Sequence, residues 1–340
     1  MAAPKRINLA LQGGGAHGAF TWGVLDRLLD SDEIEIAGIS GTSAGALNGA
    51  ALKAGLATGG PAEAKALLAH MWARILGLRD LKIATWLSPF APATAEISRV
   101  IEYSSAYAWG DFVSRSTSPY AMGPFYRNPL APILADLPFE RVCSSPGPDL
   151  YVCATNVRTG KIRIFTGDEI SPDSLMASAC LPTLFQAVEI DGEAYWDGGY
   201  TGNPALFPLY QDHLPNDIAI VNINPLVRDD LPYSAQEIQN RINEISFNAS
   251  LFRDLRAIRF VQRLIESGKV EKGAMAYILV HMIADDDLMR DLSVATKLVP
   301  SAIIVERLFQ AGRRAAERFL ETHLADVGKR STVDLAEMYD

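Results

Sequence analysis

Apolar and polar positions follow two rhythms along this chain. The short apolar run INLALQ at 7–12 stops at Gly13, Gly14 and Gly15. A run of that length closed by glycines predicts a buried strand and then a tight loop. From His17 to Leu29 the rhythm changes, and Phe20, Val24, Leu25 and Leu28 recur at helical spacing. A second apolar run from Ile34 to Ile39 predicts another strand, and the small apolar residues from Ala44 to Leu56 predict a second helix. Two strands, each feeding a helix through a glycine turn, predict a βαβα opening on a mostly parallel sheet.

Further along, residues 61–78 carry a helical pattern. The stretch 80–130 mixes proline, aromatic and small residues and reads as short helices and loops covering the sheet. Its aromatics either line an apolar pocket or anchor the segment. LYVCATNVRTGKIRIFTG predicts two strands joined by a turn at Thr159-Gly160. A helix is predicted from Ser171-Pro172, stopping before Pro182. IAIVNIN at 218–224 predicts a strand, 235–267 a long helical region broken near Ser246, MAYILVHMI a late strand, and 303–326 a further helix. With no repeat and no low-complexity linker, the pattern describes one α/β unit. Its core spans 5–225, with a cover insertion near 80–130. A mainly helical region, 226–340, carries the late strand and packs on that core.

Composition narrows the partners. The 340 residues are 49% hydrophobic and 21% charged, with a formal net charge of −9. That balance suits a globular chain and argues against nucleic acid as a partner. No run approaches the ~18 apolar residues that span a bilayer, and no apolar leader opens the sequence, so a cytoplasmic location is expected. Cys143, Cys153 and Cys180 are odd in number and lack metal-ligand spacing, which suggests reduced thiols, the two in VCATNV and SACLPT buried. No metal and no cofactor is called for.

The chemistry centres on GTSAG at 41–45. Ser43 lies in a G-x-S-x-G pattern between a strand and a helix. A nucleophile on such a turn takes an unfavourable backbone conformation and needs small neighbours, which Gly41 and Gly45 supply. The first N–H groups of the following helix favour negative charge developing there. A packing or anion-binding turn would use the same composition.

Serine needs a base. A Ser-His-Asp triad would draw on His281, which follows the late apolar run. A Ser-Asp dyad would draw on Asp197 in GEAYWDGGY, where an apolar and aromatic setting desolvates the carboxylate and Gly198 and Gly199 allow close backbone approach. An Asp-Gly-Gly turn capping its own loop is the alternative. The first glycine turn, GGGAHG, matches G-x-G-x-x-G at Gly13, Gly15 and Gly18 after a strand, with Glu33 or Glu35 placed as a ribose acid, so a dinucleotide site competes. As an oxyanion hole, consecutive glycines would point N–H groups at one oxygen without side chains in the way.

GGGAHG at 13–18, GTSAG at 41–45 and DGG at 197–199, with ATNVRTG at 154–160, ASACLPTLF at 177–185 and NP at 203–204, together resemble the patatin-like phospholipase family of acyl hydrolases over roughly residues 5–225. The resemblance implies a three-layer α/β/α fold with a helical C-terminal extension. It also implies a Ser43–Asp197 dyad without a catalytic histidine, an oxyanion hole from the N–H groups of Gly13, Gly14 and Gly15, and a fatty acyl ester as substrate. One position departs: the family's glycine loop usually carries Arg or Lys where this chain has His17. A histidine is only partly charged at neutral pH, which leaves room for esters without a phosphate and suits a role for His17 in bracing the loop. A non-catalytic lipid- or acyl-binding protein is the remaining alternative.

Arg253, Arg256, Arg259 and Arg263 recur every three or four residues beside Leu251, Leu255, Ile258, Leu264 and Ile265. This basic amphipathic segment is the candidate for transient membrane contact at the inner face, the other reading being a helix packed on the domain. Asp285, Asp286 and Asp287 read as a solvated turn or helix start rather than a metal site. The last helices cover the sheet or form a homodimer face.

Overall fold

In a computed structural model, which describes residues 3–78, 88, 91–143, 146–271 and 273–340, the opening follows the predicted rhythm. Strand β1 (Lys5–Leu11) leads through the glycine loop into α1 (Gly18–Leu28), and β2 (Ile34–Thr42) leads through Ser43 into α2 (Ala44–Gly59). Helix α3 (Pro61–Ile75) follows, started by Pro61 in its first turn. Residues 79–87 and 89–90 of the cover segment lie outside the described residues. The rest of it forms α4 (Thr94–Glu102), α5 (Ser105–Ser116) and shorter turns.

Strands β3 (Asp149–Asn156) and β4 (Ile162–Thr166) flank the predicted turn, and α6 (Pro172–Ser178) starts on a Ser171 cap as expected. Two short strands follow that the pattern did not announce, β5 (Val188–Ile190) and β6 (Glu193–Asp197). They pair by backbone across a two-residue turn and carry too few apolar residues to show a period. Strand β7 (Asp217–Val221) is shorter than read. The long helix α7 (Ala235–Glu266) is continuous: the Ser246 hydroxyl donates to the Ile242 carbonyl and stays within the helix instead of breaking it. Strand β8 (Leu279–Ile283) begins four residues later than the apolar run. Helices α8 (Val294–Leu298), α9 (Ala302–His323) and α10 (Leu335–Tyr339) complete the chain.

The strands form one sheet in the order β5-β6-β3-β2-β1-β7-β8, with β4 also paired to β3. Pairs β1–β2, β2–β3, β1–β7 and β7–β8 are parallel, while β4, β5 and β6 join antiparallel. Strand alternation sends Ile7, Leu9 and Leu11 of β1 to one face, where α1, α2, α3 and α9 cover them. Ala10 and the β7 residues Ile218 and Ile220 go to the other, under Leu251, Leu255 and Ile258 of α7. Helices on both faces make the three-layer α/β/α arrangement. The chain leaves β1 toward β2 and returns to β1's other side as β7. The β1 loop therefore sits where the strand order reverses, at the strands' C-terminal ends, the usual place for a binding crevice.

The basic stretch of α7 takes an internal role. Leu251, Leu255, Ile258 and Ile265 are buried in the core. Arg259 and Arg263 pair with the terminal Asp340, and Arg256 lies over the Tyr339 ring. The apolar side of the segment thus packs on the sheet, and three of its four arginines hold Tyr339 and Asp340. Asp285 caps a short helix, accepting from the Leu288 N–H at 3.2 Å, which is the helix-start role expected of it. Among the described residues no helix is long and apolar enough to cross a membrane.

Candidate active site

Ser43 occupies the turn between β2 and α2 with φ 53° and ψ −123°. A non-glycine residue at positive φ is strained, and the surroundings must hold it there. They do so by close approach. A Cβ on Gly45 would lie 2.1 Å from the Leu11 carbonyl oxygen, and one on Gly41 would lie 2.8 Å from the backbone of Ala46. The Ser43 N–H donates to Ser178 Oγ at 2.9 Å, and Ser178 donates in turn to the Cys153 carbonyl at 2.6 Å. Ser178, part of the ASACLPTLF match but assigned no role from sequence, clamps the turn from the end of α6.

Sheet register brings Asp197 to this turn. In β3, Cys153 pairs with Thr42 of β2 and the next residue, Ala154, pairs with Asp197 of β6. The carboxylate is buried. Its Oδ1 accepts from the Gly199 N–H at 2.7 Å, and its Oδ2 has no hydrogen-bond partner among the described residues. Burial raises its pKa to about 7, opposed by the Gly199 N–H and then by the Ser43 hydroxyl. The hydroxyl is thus near enough to act on the carboxylate without closing a hydrogen bond of normal length, as is common before substrate tightens a site. A Cβ on Gly198 would lie 2.2 Å from the Cys153 carbonyl oxygen, so the DGG turn needs its glycines to fit against β3.

The glycine loop forms the facing wall. Gly15 has φ +57°, and a Cβ there would lie 2.3 Å from the Lys297 carbonyl oxygen. The three glycines are not equivalent. The Gly13 N–H donates to Asn203 Oδ1 at 2.6 Å, and Gly13 does not line the cleft. Gly14 and Gly15 line it, and their N–H groups have no acceptor among the described residues. Of the three glycines expected in the oxyanion hole, Gly13 has its N–H engaged by the loop that follows Asp197.

His17 is buried, and its Nε2–H donates to Thr296 Oγ1 at 2.8 Å, since that hydroxyl itself donates to the Ser293 carbonyl. Burial, and then the Lys297 charge, hold its pKa well below the ordinary imidazole value, so the ring is neutral at pH 7. It ties the glycine loop to α8, a bracing role. Lys297 on α8 lines the cleft and donates to Asn224 Oδ1 at 2.6 Å. Burial pushes its pKa down to about 8.

Ser43, Asp197, Gly14 and Gly15 meet at a cleft of about 220 Å³. Apart from Asn243 and Lys297, its remaining walls are apolar and come from distant elements, among them Leu47, Met71, Trp72, Leu130, Phe185 and Phe247. Among the described residues, no aromatic of the 80–130 segment lines the cleft. Tyr103, Trp109, Phe112 and Phe125 are exposed instead, so the pocket-lining reading does not hold for the described aromatics, while Trp86 and Phe90 lie outside the described residues.

The competing assignments separate here. His281 lies within β8, paired with Asp217 Oδ1 at 3.0 Å and absent from the cleft. Glu35, the candidate ribose acid, pairs with Arg6 near the opposite end of β2. Cys153 and Cys180 are buried thiols with pKa pushed up to about 12, chiefly by burial, and are inert, as the sequence suggested.

A mostly parallel sheet between helical layers, with an apolar cleft at the strands' C-terminal ends and a strained serine beside a buried carboxylate, defines a hydrolase-type α/β enzyme. A family profile for patatin-like phospholipase matches residues 9–210. The chain belongs to that family and is a lipid acyl hydrolase. No curated protein sequence matches it. Among solved structures, it is similar to VipD from Legionella pneumophila, at 17% identity and TM-score 0.44, over 94% of this chain and 67% of that one. It is also similar to a chain of the ExoU–SpcU complex from the Pseudomonas aeruginosa type III secretion system, at 17% identity and TM-score 0.39, over 95% of this chain and 53% of that one.

Proposed function

We propose that the protein hydrolyses a carboxylic ester of a fatty acyl chain through a Ser43 acyl-enzyme, with Asp197 as the sole base. The observation that carries this reading is the unpartnered Asp197 Oδ2, buried beside a serine held at positive φ. The Ser43 hydroxyl attacks the ester carbonyl and its proton passes to Asp197. The carbonyl oxygen becomes an oxyanion that accepts from the Gly14 and Gly15 N–H groups, backed by the N-terminus of α2. Collapse breaks the ester bond, and Asp197 returns the proton to the departing alcohol. Water then attacks the acyl-enzyme and gives its proton to Asp197; as the second intermediate collapses, the acyl–Oγ bond breaks, Asp197 returns that proton to Ser43 Oγ, and the acid leaves. The apolar walls suit the acyl chain. With His17 neutral, the glycine loop carries no permanent cation, so a phosphate on the head group is not required.

Treatment of the wild type and Ser43→Ala with a fluorophosphonate, read by intact and peptide mass, tests the nucleophile. One adduct on Ser43, absent from the variant, is expected. No adduct, with the probe active on a control hydrolase, moves the protein to a lipid-binding role.

Access to aggregated lipid fits the cover segment better than the arginines of α7. Helix α4 packs on α8, a wall of the cleft, and the Ala187 N–H donates to Tyr120 Oη two residues beyond Phe185 of the cleft lining. These contacts, with the exposure of Tyr103, Trp109 and Phe112, support a lipid-facing rim on the cover segment. Replacing Trp109 and Phe112 by serine is expected to reduce co-flotation with phospholipid vesicles while leaving turnover of a soluble ester intact; unchanged flotation removes the rim from the account.

A further inference from the structure

The glycine loop is backed by a layer of buried carboxamides that the steps above leave unused. Gln12, Asn203, Asn224 and Asn248 are at most 1% exposed. Gln12 Oε1 accepts from the N–H groups of Ile223 and Asn224 at 2.8 and 3.1 Å, which fixes the turn after β7 against the end of β1. Asn224 stands between a cation and the loop. Its Nδ2 donates to the Gly13 carbonyl at 3.0 Å, and its Oδ1 accepts from Lys297 Nζ at 2.6 Å. The Gly13 carbonyl and the Gly14 N–H belong to one peptide unit. Ammonium, carboxamide and peptide therefore run donor to acceptor in series and end at an N–H that faces the cleft.

In an interior of low dielectric, hydrogen bonds in series polarise one another. A donor placed on a peptide carbonyl makes the N–H of that peptide more positive, and a cation at the head of the series strengthens each step. We propose that Lys297 is a positioning residue for the oxyanion site, acting on the Gly14 N–H through Asn224 and the Gly13 carbonyl. The inference rests on the acyl-transfer reading, because its effect falls on an oxyanion. It gives a role to a lysine that no motif marks and that reaches the site from α8, outside the matched residues 9–210.

The groups facing Lys297 leave its charge in place at neutral pH. His17 on the glycine loop is neutral. Glu244 of α7 raises the lysine pKa and Arg228, in the segment after β7, lowers it. These two are held to each other by Arg228 Nη2 at 2.6 Å from Glu244 Oε1, with Arg241 at 3.2 Å from Oε2. Asp197 stands elsewhere in the cleft lining. The ammonium is lost as pH rises through about 8, whereas Asp197 ionises through about 7. The active form, with Asp197 ionised and Lys297 protonated, is then confined to a narrow window between them.

Lys297→Met keeps the aliphatic stem and removes the charge, and Lys297→Arg keeps the charge. Turnover of p-nitrophenyl butyrate by the full chain is measured across the alkaline range, together with KM and Tm. Lys297→Met is expected to lower kcat roughly tenfold, to leave KM within about twofold, and to abolish the fall in kcat expected of the wild type above pH ~8. Lys297→Arg is expected to recover most of kcat and to move that fall to higher pH. A wild type without an alkaline fall, a Lys297→Met protein that keeps it, or an arginine variant no better than methionine overturns the inference while Ser43 labelling still stands. A wild type that neither turns over the ester nor labels on Ser43 fails the acyl-transfer reading, and the inference with it.

Discussion

Asp197 and Asp217 are two buried aspartates on strands of the same sheet, 1% and 5% exposed, and burial alone does not separate them. Their partners do. Asp217 Oδ1 accepts from His281 Nε2 at 3.0 Å and from the Gly328 N–H at 2.7 Å, and His281 reaches Thr332 Oγ1 at 3.3 Å on its other side. That pair has the composition of two thirds of a triad, yet it bonds a loop and a strand and lines no cleft. Asp197 has one oxygen engaged and the other without a partner, next to a strained serine. A buried carboxylate whose bonds are met holds structure together. One left partly unmet in an apolar cleft keeps an affinity for a proton, which is what a base needs.

The largest effect expected from this contrast is on turnover. Asp197→Asn should lower kcat for a soluble ester by at least ~10³-fold, with Tm preserved. His281→Ala should keep kcat within about threefold. The reverse pattern in a kinetic comparison of the two variants would reinstate the histidine.

The next effect is on pH dependence. Asp197 must be ionised to accept the serine proton, so kcat/KM should rise with pH through an apparent pKa near 7, ahead of the alkaline fall expected from Lys297, with no step at the ordinary carboxylate range. A profile already flat at pH 5 would remove Asp197 as the base.

The smallest effects are on stability and have opposite signs at the two sites. His281→Ala leaves Asp217 short of a donor and opens a void, and should lower Tm by about 3–5 °C. Asp197 behaves the other way because its folded pKa is raised from 3.8 to about 7. The neutral acid is the form favoured by burial, so stability is fully present below the unfolded value and is lost as pH rises through the folded one. Asp197→Asn should therefore raise Tm by about 2–4 °C above pH 8 and have little effect near pH 4, as read by thermal melts at the two pH values. A variant that is less stable at high pH would mean the carboxylate is paired after all.

Much of this was legible in the sequence because it depends on local composition. The run 7–12 and the glycines after it, the serine turn, and the helices from 18 to 75 follow from short-range periodicity and from glycine and proline placement. The need for Gly41 and Gly45 follows from the closeness of any strand and helix joined by so sharp a turn. The unbroken α7 and the hairpin β5–β6 were not legible, since Ser246 is decided by a bond one turn away and the hairpin by pairing with β3. Nor were Ser178, Asn203, Asn224 and Lys297. Asn224 and Lys297 are common polar residues in unremarkable stretches, Ser178 and Asn203 lie in motifs that gave them no role, and each acquires its role from a partner far along the chain.

The sequence by itself determined the parts: a strand–turn–helix that bends tightly enough to expose a serine, a glycine loop free of side chains, and an aspartate in an apolar setting. Those properties belong to a few adjacent residues, and backbone sterics and desolvation act at that range. The tertiary structure decided which parts meet. Only the register of β3 between β2 and β6 sets Asp197 beside Ser43, only the Asn203 contact engages the Gly13 N–H, and only the packing of α8 brings Lys297 behind the glycine loop. Hydrogen bonds and packing between distant segments are fixed when the sheet and its layers close, and no local pattern encodes them.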